Sequence, residues 1–140
     1  VDAAGKRILR ILNIEAEVSK SDGQPPTMAA DSGGHCVWQL TTANRTSIIP
    51  MSDRSVIAKQ ALWARNPDSA INAPTQVYTD SHLPQHYTDG YLVAVDTIYL
   101  GAQATDEWTG TDNLTVSVMI EAVVESLDEK SAMALALSQS

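Results

Sequence analysis

Residues 114–125 run Leu-Thr-Val-Ser-Val-Met-Ile-Glu-Ala-Val-Val-Glu, the longest regular alternation in the chain. Every second residue from Leu114 onward is apolar, while Thr, Ser and Glu occupy most of the positions between. A period of two places alternate side chains on opposite faces of a β-strand. The pattern therefore predicts a long strand with one face in the core, and we expect Val116, Val118 and Ile120 to point inward.

The same period recurs near the beginning of the chain. In residues 12–18 the apolar positions alternate with Asn, Glu and Glu, so Leu12 and Ile14 are expected in the core with Trp38. Residues 35–42 and 91–100 are rich in β-branched and aromatic residues and predict two more strands, the second with a kink or break at Asp96. Shorter strands are expected at residues 46–49 and 76–79.

Residues 55–65 fit two structures. Ser52 and Asp53 could cap a helix. Alternatively the segment is a strand with Ile57, Lys59, Ala61 and Trp63 on one face. We favour the strand because the neighbouring segments are all β.

The remaining segments predict a long loop and a terminal helix. Residues 72–90 contain Pro and Asp at several positions and predict a loop with little regular structure. Ser126 and Glu129 have the spacing of a capping box, which predicts a helix over residues 127–137. Together these elements predict one all-β domain over residues 1–140, an antiparallel β-sandwich of about eight strands with a short C-terminal helix.

Composition excludes several classes of function. The formal net charge is −8 and no Lys/Arg-rich run is present, so direct nucleic-acid binding is not expected. Lys6, Arg7 and Arg10 form the only basic stretch and are interpreted as a strand edge or a small contact patch. No transmembrane segment is expected, because no apolar run approaches about 20 residues. The single cysteine, Cys36, alternates with Trp38 and is expected in the core rather than in a disulfide or a Cys-His nucleophile.

Candidate sites for chemistry are weak. His82 and His86 have a zinc-compatible spacing, but Pro84 between them disfavours the required helix. Calcium at Asp106, Glu107 and Asp112 and a glycosidase pair among Asp80, Asp89 and Asp96 also lack a supporting motif. The sequence thus predicts no enzyme, no cofactor, and no catalytic or metal site. Of the aromatic residues that could stack on a sugar, Trp108 is expected to be the most exposed, and Trp63 is a second candidate.

Residues 88–101, Thr-Asp-Gly-Tyr-Leu-Val-Ala-Val-Asp-Thr-Ile-Tyr-Leu-Gly, are followed by a polar turn, the long strand and the terminal helix. This order resembles the single jelly-roll capsid (coat) proteins of icosahedral viruses and bacteriophages. The resemblance covers about half of the chain. It implies a jelly-roll sandwich that assembles into the shell of a virion as a homo-oligomer, alone or with other capsid proteins. The missing basic arm is a departure, and implies a decoration role or a layer between shell and genome.

Two questions stay open, one about the function and one about the terminal helix. The chain could be a β-sandwich module that binds a carbohydrate or a receptor, for which an exposed Trp63 or Trp108 in a groove would be the supporting observation. For self-assembly, the long loop at residues 72–90 and the apolar Met133, Leu135 and Leu137 of the tail suggest surfaces that a neighbouring subunit covers. The competing possibility is that the tail helix packs on its own domain.

Overall fold

A computed structural model describes residues 7–72, 76–109 and 114–140 of the chain, so Lys6 and Asp112 lie outside the described residues. The strands are β1 (Arg7–Ser19), β2 (Thr27–Met28), β3 (Ser32–Thr41), β4 (Val56–Asn66), β5 (Gln76–His82), β6 (Tyr91–Val93), β7 (Tyr99–Ala104), β8 (Trp108–Thr109) and β9 (Thr115–Ser126). A short 3-10 helix (Pro84–His86) follows β5, and helix α1 (Glu129–Gln139) follows β9.

The strands form antiparallel sheets. β6, β1 and β9 make a three-stranded sheet in that order, and β5, β4, β3 and β7 make a four-stranded sheet. A small pair, β2 with β8, lies beside them. Buried residues from both larger sheets form one core, including Ile11 and Ile14 from β1 and Trp38 and Leu40 from β3. The prediction of an all-β protein with a C-terminal helix is confirmed, and the two sheets with a shared core are consistent with a sandwich.

The pairing of the strands is nested. β1 pairs with β9, β2 with β8 and β3 with β7, so early strands meet late ones. β4 pairs with its two chain neighbours, β3 and β5. The four-stranded sheet has the spatial order β7-β3-β4-β5, which is that of a Greek key.

β1 follows the predicted alternation only in part. A register shift between Ile11 and Asn13 leaves Leu12 without a partner on β9, and the buried positions become Ile11 and Ile14. Leu12 was expected in the core and is only half-buried. A β-bulge inserts one extra residue, so the face that points inward changes parity across it. Of the two interpretations of Arg7 and Arg10, the strand edge is wrong, because β1 is the central strand of its sheet, and the small contact patch stays a prediction.

Residues 91–100 form two strands rather than one. The chain leaves the three-stranded sheet after Val93 and joins the four-stranded sheet at Tyr99. The predicted break at Asp96 is confirmed, since Asp96 lies between β6 and β7. β7 continues past Gly101 to Ala104 because β3 provides partners along its whole length.

The prediction of a strand at residues 46–49 is wrong, and the strand predicted at residues 76–79 is present but longer than expected. Residues 46–49 form no strand, because their backbone bonds to a side chain instead: Gln39 donates to Ser47 O (2.9 Å) and accepts from Ile49 N (3.0 Å). In the segment 72–90, β5 extends to His82 along β4, well beyond the short strand predicted. The strand prediction for residues 55–65 is confirmed by β4.

Helix α1 begins two residues later than predicted. Asp128, rather than Ser126, is the N-cap, and its carboxylate accepts from Ser131 N at 2.9 Å. Ser126 remains the last residue of β9 because it pairs with Arg7. Because Ser126 is held in β9, it does not act as the N-cap, and the cap is Asp128 instead.

The Asp128 cap predicts a pH-dependent stability. The Ser131 backbone N–H and then the Ser131 hydroxyl hold the pKa of Asp128 below its usual value. A carboxyl whose pKa is depressed by folding stabilises the protein above its unfolded pKa of about 4, and that contribution is lost as the pH falls through the folded pKa. We expect Asp128→Ala to lower the Tm by a few degrees at pH 7 and to have almost no effect at pH 2, measured by circular dichroism. An equal decrease at both pH values would contradict the role of the charged cap.

Candidate functional site

Cys36 has no reactive environment. It lies in β3 and is buried in a cluster with Met28, Ala64 and Trp108. Burial raises the pKa of the Cys36 thiol, so the nucleophilic thiolate is scarce at neutral pH. The prediction that Cys36 is a core residue is confirmed.

His82 and His86 are near one another, but among the described residues no further metal-ligating side chain completes a site with them. The Tyr87 hydroxyl lies 3.0 Å from His82 Nδ1, and the rings of these two residues meet edge to face. Desolvation and then the neighbouring His86 lower the pKa of His82, so the imidazole is neutral at pH 7. Within the described ranges, no three His, Cys, Asp or Glu side chains are grouped as a metal would need. That no metal binds stays a prediction.

The acidic candidates are spread over the molecule. Asp106 is exposed in the turn before β8, Glu107 is half-buried beside it, and Asp112 lies outside the described residues. Asp80 lies on β5, Asp89 precedes β6, and Asp96 lies between β6 and β7. No hydrogen bond or ion pair between described residues joins any two of the last three. The absence of a glycosidase pair among them stays a prediction, because such carboxylates work at a separation of several ångströms.

Of the three tryptophans, Trp108 has an environment different from the one expected. Trp38 is in the core, as predicted. Trp108 was expected to be the most exposed, but it is 5% exposed and its Nε1 donates to His35 O at 3.2 Å. Trp108 is covered because β8 pairs with β2, which places Met28 beside it. Trp63 is 44% exposed and is the tryptophan available to a ligand.

Trp63 lies in a groove on the four-stranded sheet, on the face opposite to Trp38. The Trp63 groove is bounded by Lys59, Ala61 and Trp63 of β4, by Asp80 of β5, and by Ile48 and Met51 of the loop before β4. Its volume is about 310 Å³. Lys59, Ala61 and Trp63 were predicted to share one strand face. Asp80 was named only as one of three candidate carboxylates, and it joins this face because the pairing of β5 with β4 places it opposite Ala61.

The loop that forms one wall of the Trp63 groove is tied to the sheet. Lys59 Nζ donates to Ile49 O at 2.8 Å, and Gln39 bonds to the backbone of Ser47 and Ile49. On the other side, Trp63 is opposite Tyr78, with ring centroids 5.7 Å apart. The groove is therefore formed before any ligand arrives, with an aromatic wall at one end and a fixed loop along one side.

A second surface is the outer edge of β9, which we call the β9 edge. β9 is the last strand of the three-stranded sheet, and no described residue pairs with its outer side. Four of its apolar side chains are exposed: Met119 (76%), Ile120 (41%), Val123 and Val124. Val116, Val118 and Ile120 were all expected to point inward. Val116 and Val118 are half-buried against the core, and Ile120 lies on the same face as its buried partner Ile14 but stays 41% exposed.

The opposite edge of the same sheet is covered by the tail. The Gln139 side chain accepts from Ala94 N at 2.9 Å and donates to Leu92 O, which are the groups that a neighbouring strand would use. Ala132 of α1 is buried against Ile8 and Ala94. One side of the tail helix therefore packs on its own domain, while Met133 and Leu137 on the helix remain exposed.

Comparison with models of known protein families, with curated proteins and with solved structures gave no match. Over the described residues, no helix is long and apolar enough to cross a membrane. The Trp63 groove and the β9 edge are therefore the two surfaces from which function is inferred.

Proposed function

We propose that this protein is a structural subunit that assembles with copies of itself through the β9 edge, as a shell subunit of a virion. The observation that carries the proposal is a long edge strand with exposed apolar side chains and no described partner. An edge strand presents a row of unpaired N–H and C=O groups, and an identical strand can satisfy them.

The β9 edge lacks the features that keep edge strands of monomers apart. Natural edges are protected by Lys, Pro, bulges or short length. β9 spans 12 residues and contains neither Lys nor Pro. Its two outward carboxylates are already engaged by β1: Glu121 accepts from Asn13, and Glu125 forms a bidentate pair with Arg10 at 2.6 and 2.9 Å. A second strand would meet little unpaired negative charge.

The sequence of β9 is complementary to itself in one antiparallel register. When Ile120 faces Ile120 of a second copy, Val118 faces Ala122 and Val116 faces Val124. In the same register Glu121 faces Met119 and Glu125 faces Thr115, so no acid faces another acid. Apolar cross-strand pairs stabilise a sheet, whereas like charges directly opposite destabilise it. This register would join two three-stranded sheets around a two-fold axis.

Three features support a shell subunit over a simple dimer. The nested pairing of early strands with late ones and the Greek-key order agree with the jelly-roll topology proposed from the resemblance. The topology differs from a jelly roll in one respect, because the consecutive strands β3 and β4 are neighbours in one sheet. The exposed Met133 and Leu137 of α1 provide a second contact surface, which a closed shell requires in addition to a two-fold contact.

The β9 edge is tested by changing the charge of the residue on the proposed two-fold axis. We expect the wild-type protein to form dimers or larger particles in light scattering, and Ile120→Lys to weaken association at least about tenfold, because it places two ammonium groups opposite each other. Ile120→Glu should behave in the same way. An equimolar mixture of the two variants should associate again, since Lys then faces Glu.

Leu100→Lys is the matched control, because Leu100 is a similarly exposed apolar residue on a different edge strand, β7. It should leave association unchanged. A wild-type protein that stays monomeric at all concentrations, or an Ile120→Lys variant that assembles normally, would overturn the β9 contact. Electron microscopy tests the shell separately: a protein that forms only dimers would retain the contact and refute the shell.

A further inference from the structure

We infer that the Trp63 groove binds a neutral saccharide, with one sugar ring stacked on the Trp63 indole. This inference concerns a different surface from the β9 edge and does not depend on self-assembly. Trp63 is the exposed member of the three tryptophans. Ligand sites are concave and lined mainly by apolar and aromatic side chains, and Trp63 is an exposed aromatic side chain in the wall of such a groove.

The orientation of Trp63 is held by its neighbours. The Tyr78 ring lies 5.7 Å away, tilted by 40°, and cross-strand pairing sets Trp63 between His35 and Tyr78. Aromatic side chains lose little conformational freedom on binding when they are already oriented. The indole therefore presents a flat apolar wall of the kind that the C–H face of a pyranose can contact.

The floor of the groove is formed by a residue with a small side chain, Ala61. Ala61 lies between Lys59 and Trp63 on the same strand face, and Val37 and Asp80 are its cross-strand neighbours. The short side chain leaves a depression between two long ones. At about 310 Å³ the groove is at the small end of ligand pockets, which span about 300–1,000 Å³. That volume fits one or two sugar rings rather than a folded protein segment.

The charges of the groove favour a neutral ligand. Lys59 is positive, Asp80 is negative and His82 is neutral at pH 7, so the groove has no net charge in a chain of net charge −8. A phosphate would meet Asp80, and a quaternary amine would meet Lys59. Hydroxyl groups can donate to the Asp80 carboxylate and accept from the Lys59 ammonium group. A purely anionic or purely cationic ligand group can make only one of these two interactions. A saccharide has an apolar C–H face and a rim of hydroxyl groups, and these match the indole wall and the two charged groups of the groove.

The fluorescence of Trp63 provides a direct test. Because Trp38 and Trp108 are buried, acrylamide quenching of the intact protein reports mainly on Trp63. The probes are cellobiose, maltose, lactose and chitobiose, with sialyllactose and phosphocholine as charged comparisons. We expect at least one neutral disaccharide to protect Trp63 from quenching with a saturable Kd, and the charged probes to bind at least about tenfold more weakly.

Variants separate the groove from the fold and from assembly. Trp63→Ala should weaken disaccharide binding at least tenfold by isothermal titration, and Ala61→Leu should do the same while Trp63 remains in place. Met119→Ser, on the β9 edge, should bind as the wild type does, and so should the Ile120→Lys variant. The inference is overturned if no neutral disaccharide binds the wild type, if a charged probe binds best, or if Ala61→Leu binds normally.

Discussion

Replacement of Trp38 by alanine is expected to lower the free energy of unfolding by about 3–5 kcal/mol. Trp38 is 1% exposed and packs in the core shared by the two larger sheets. Its Nε1 donates to Gln60 Oε1 at 3.0 Å, so the substitution also removes a hydrogen bond. Since domains of this size are stable by only about 5–15 kcal/mol, the variant should be close to unfolding at 37 °C.

Urea denaturation followed by circular dichroism measures this effect. Trp63→Ala is the matched control, because it removes the same side chain from an exposed position. We expect it to change the free energy of unfolding by about 1 kcal/mol or less. Equal losses in the two variants would contradict the burial of Trp38 and the exposure of Trp63.

Deletion of residues 131–140 is expected to lower the free energy of unfolding by about 3 kcal/mol or more. Loss of α1 exposes Ile8, whose burial contributes about 1.5–3 kcal/mol. It also removes the hydrogen bonds of Gln139 to Leu92, Ala94 and Thr42, each worth about 0.5–1.5 kcal/mol. The edge of β6 is then unprotected, so we also expect aggregation on heating.

The control for the deletion is the double substitution Met133→Ser and Leu137→Ser, which changes only exposed side chains of α1. It should leave the Tm within a few degrees of wild type. A full deletion that melts like the wild type would refute the packing of the tail on its own domain. The same two proteins, measured by light scattering, show whether Met133 and Leu137 contribute to assembly separately from stability.

The salt concentration is expected to change the strength of association through the β9 edge. The net charge of −8 makes copies of this chain repel one another. Raising the ionic strength shortens the Debye length from about 8 Å at 0.15 M to about 3 Å at 1 M. Association through an apolar β9 edge should therefore strengthen with salt, and a contact based on opposite charges would weaken.

The locally alternating segments were predictable because a period of two is a property of neighbouring residues. β1 and β9 follow from it. β3 was predicted from its β-branched and aromatic residues, β4 from its β neighbours and the helical tail from its capping pattern. The break at Asp96 and the burial of Cys36 were also within reach of local reasoning. The Trp63 groove was partly predictable, since Lys59, Ala61 and Trp63 share a face at alternate positions of one strand.

The exposure of each face was not predictable from that pattern. Alternation states which side chains lie together, but an apolar face is buried only if another element covers it. Ile120 and Val124 have the same pattern as Val116 and Val118. Ile120 and Val124 are nevertheless exposed, whereas Val116 and Val118 are half-buried against the core. Trp108 lies in a polar stretch, yet it is buried because β2 pairs across it.

By itself, therefore, the sequence determined the types of the long elements, the all-β class and most of the residues that share a face, because these depend on short-range patterns. The tertiary structure alone decided the bulge at Leu12, the transfer of the chain between sheets after Val93, and the pairing of Asp80 with Ala61. It also decided that Gln139 protects one edge of a sheet, while no described residue pairs with the other edge, at β9. These features depend on which distant strands become neighbours, and that choice is set by the packing of the whole core.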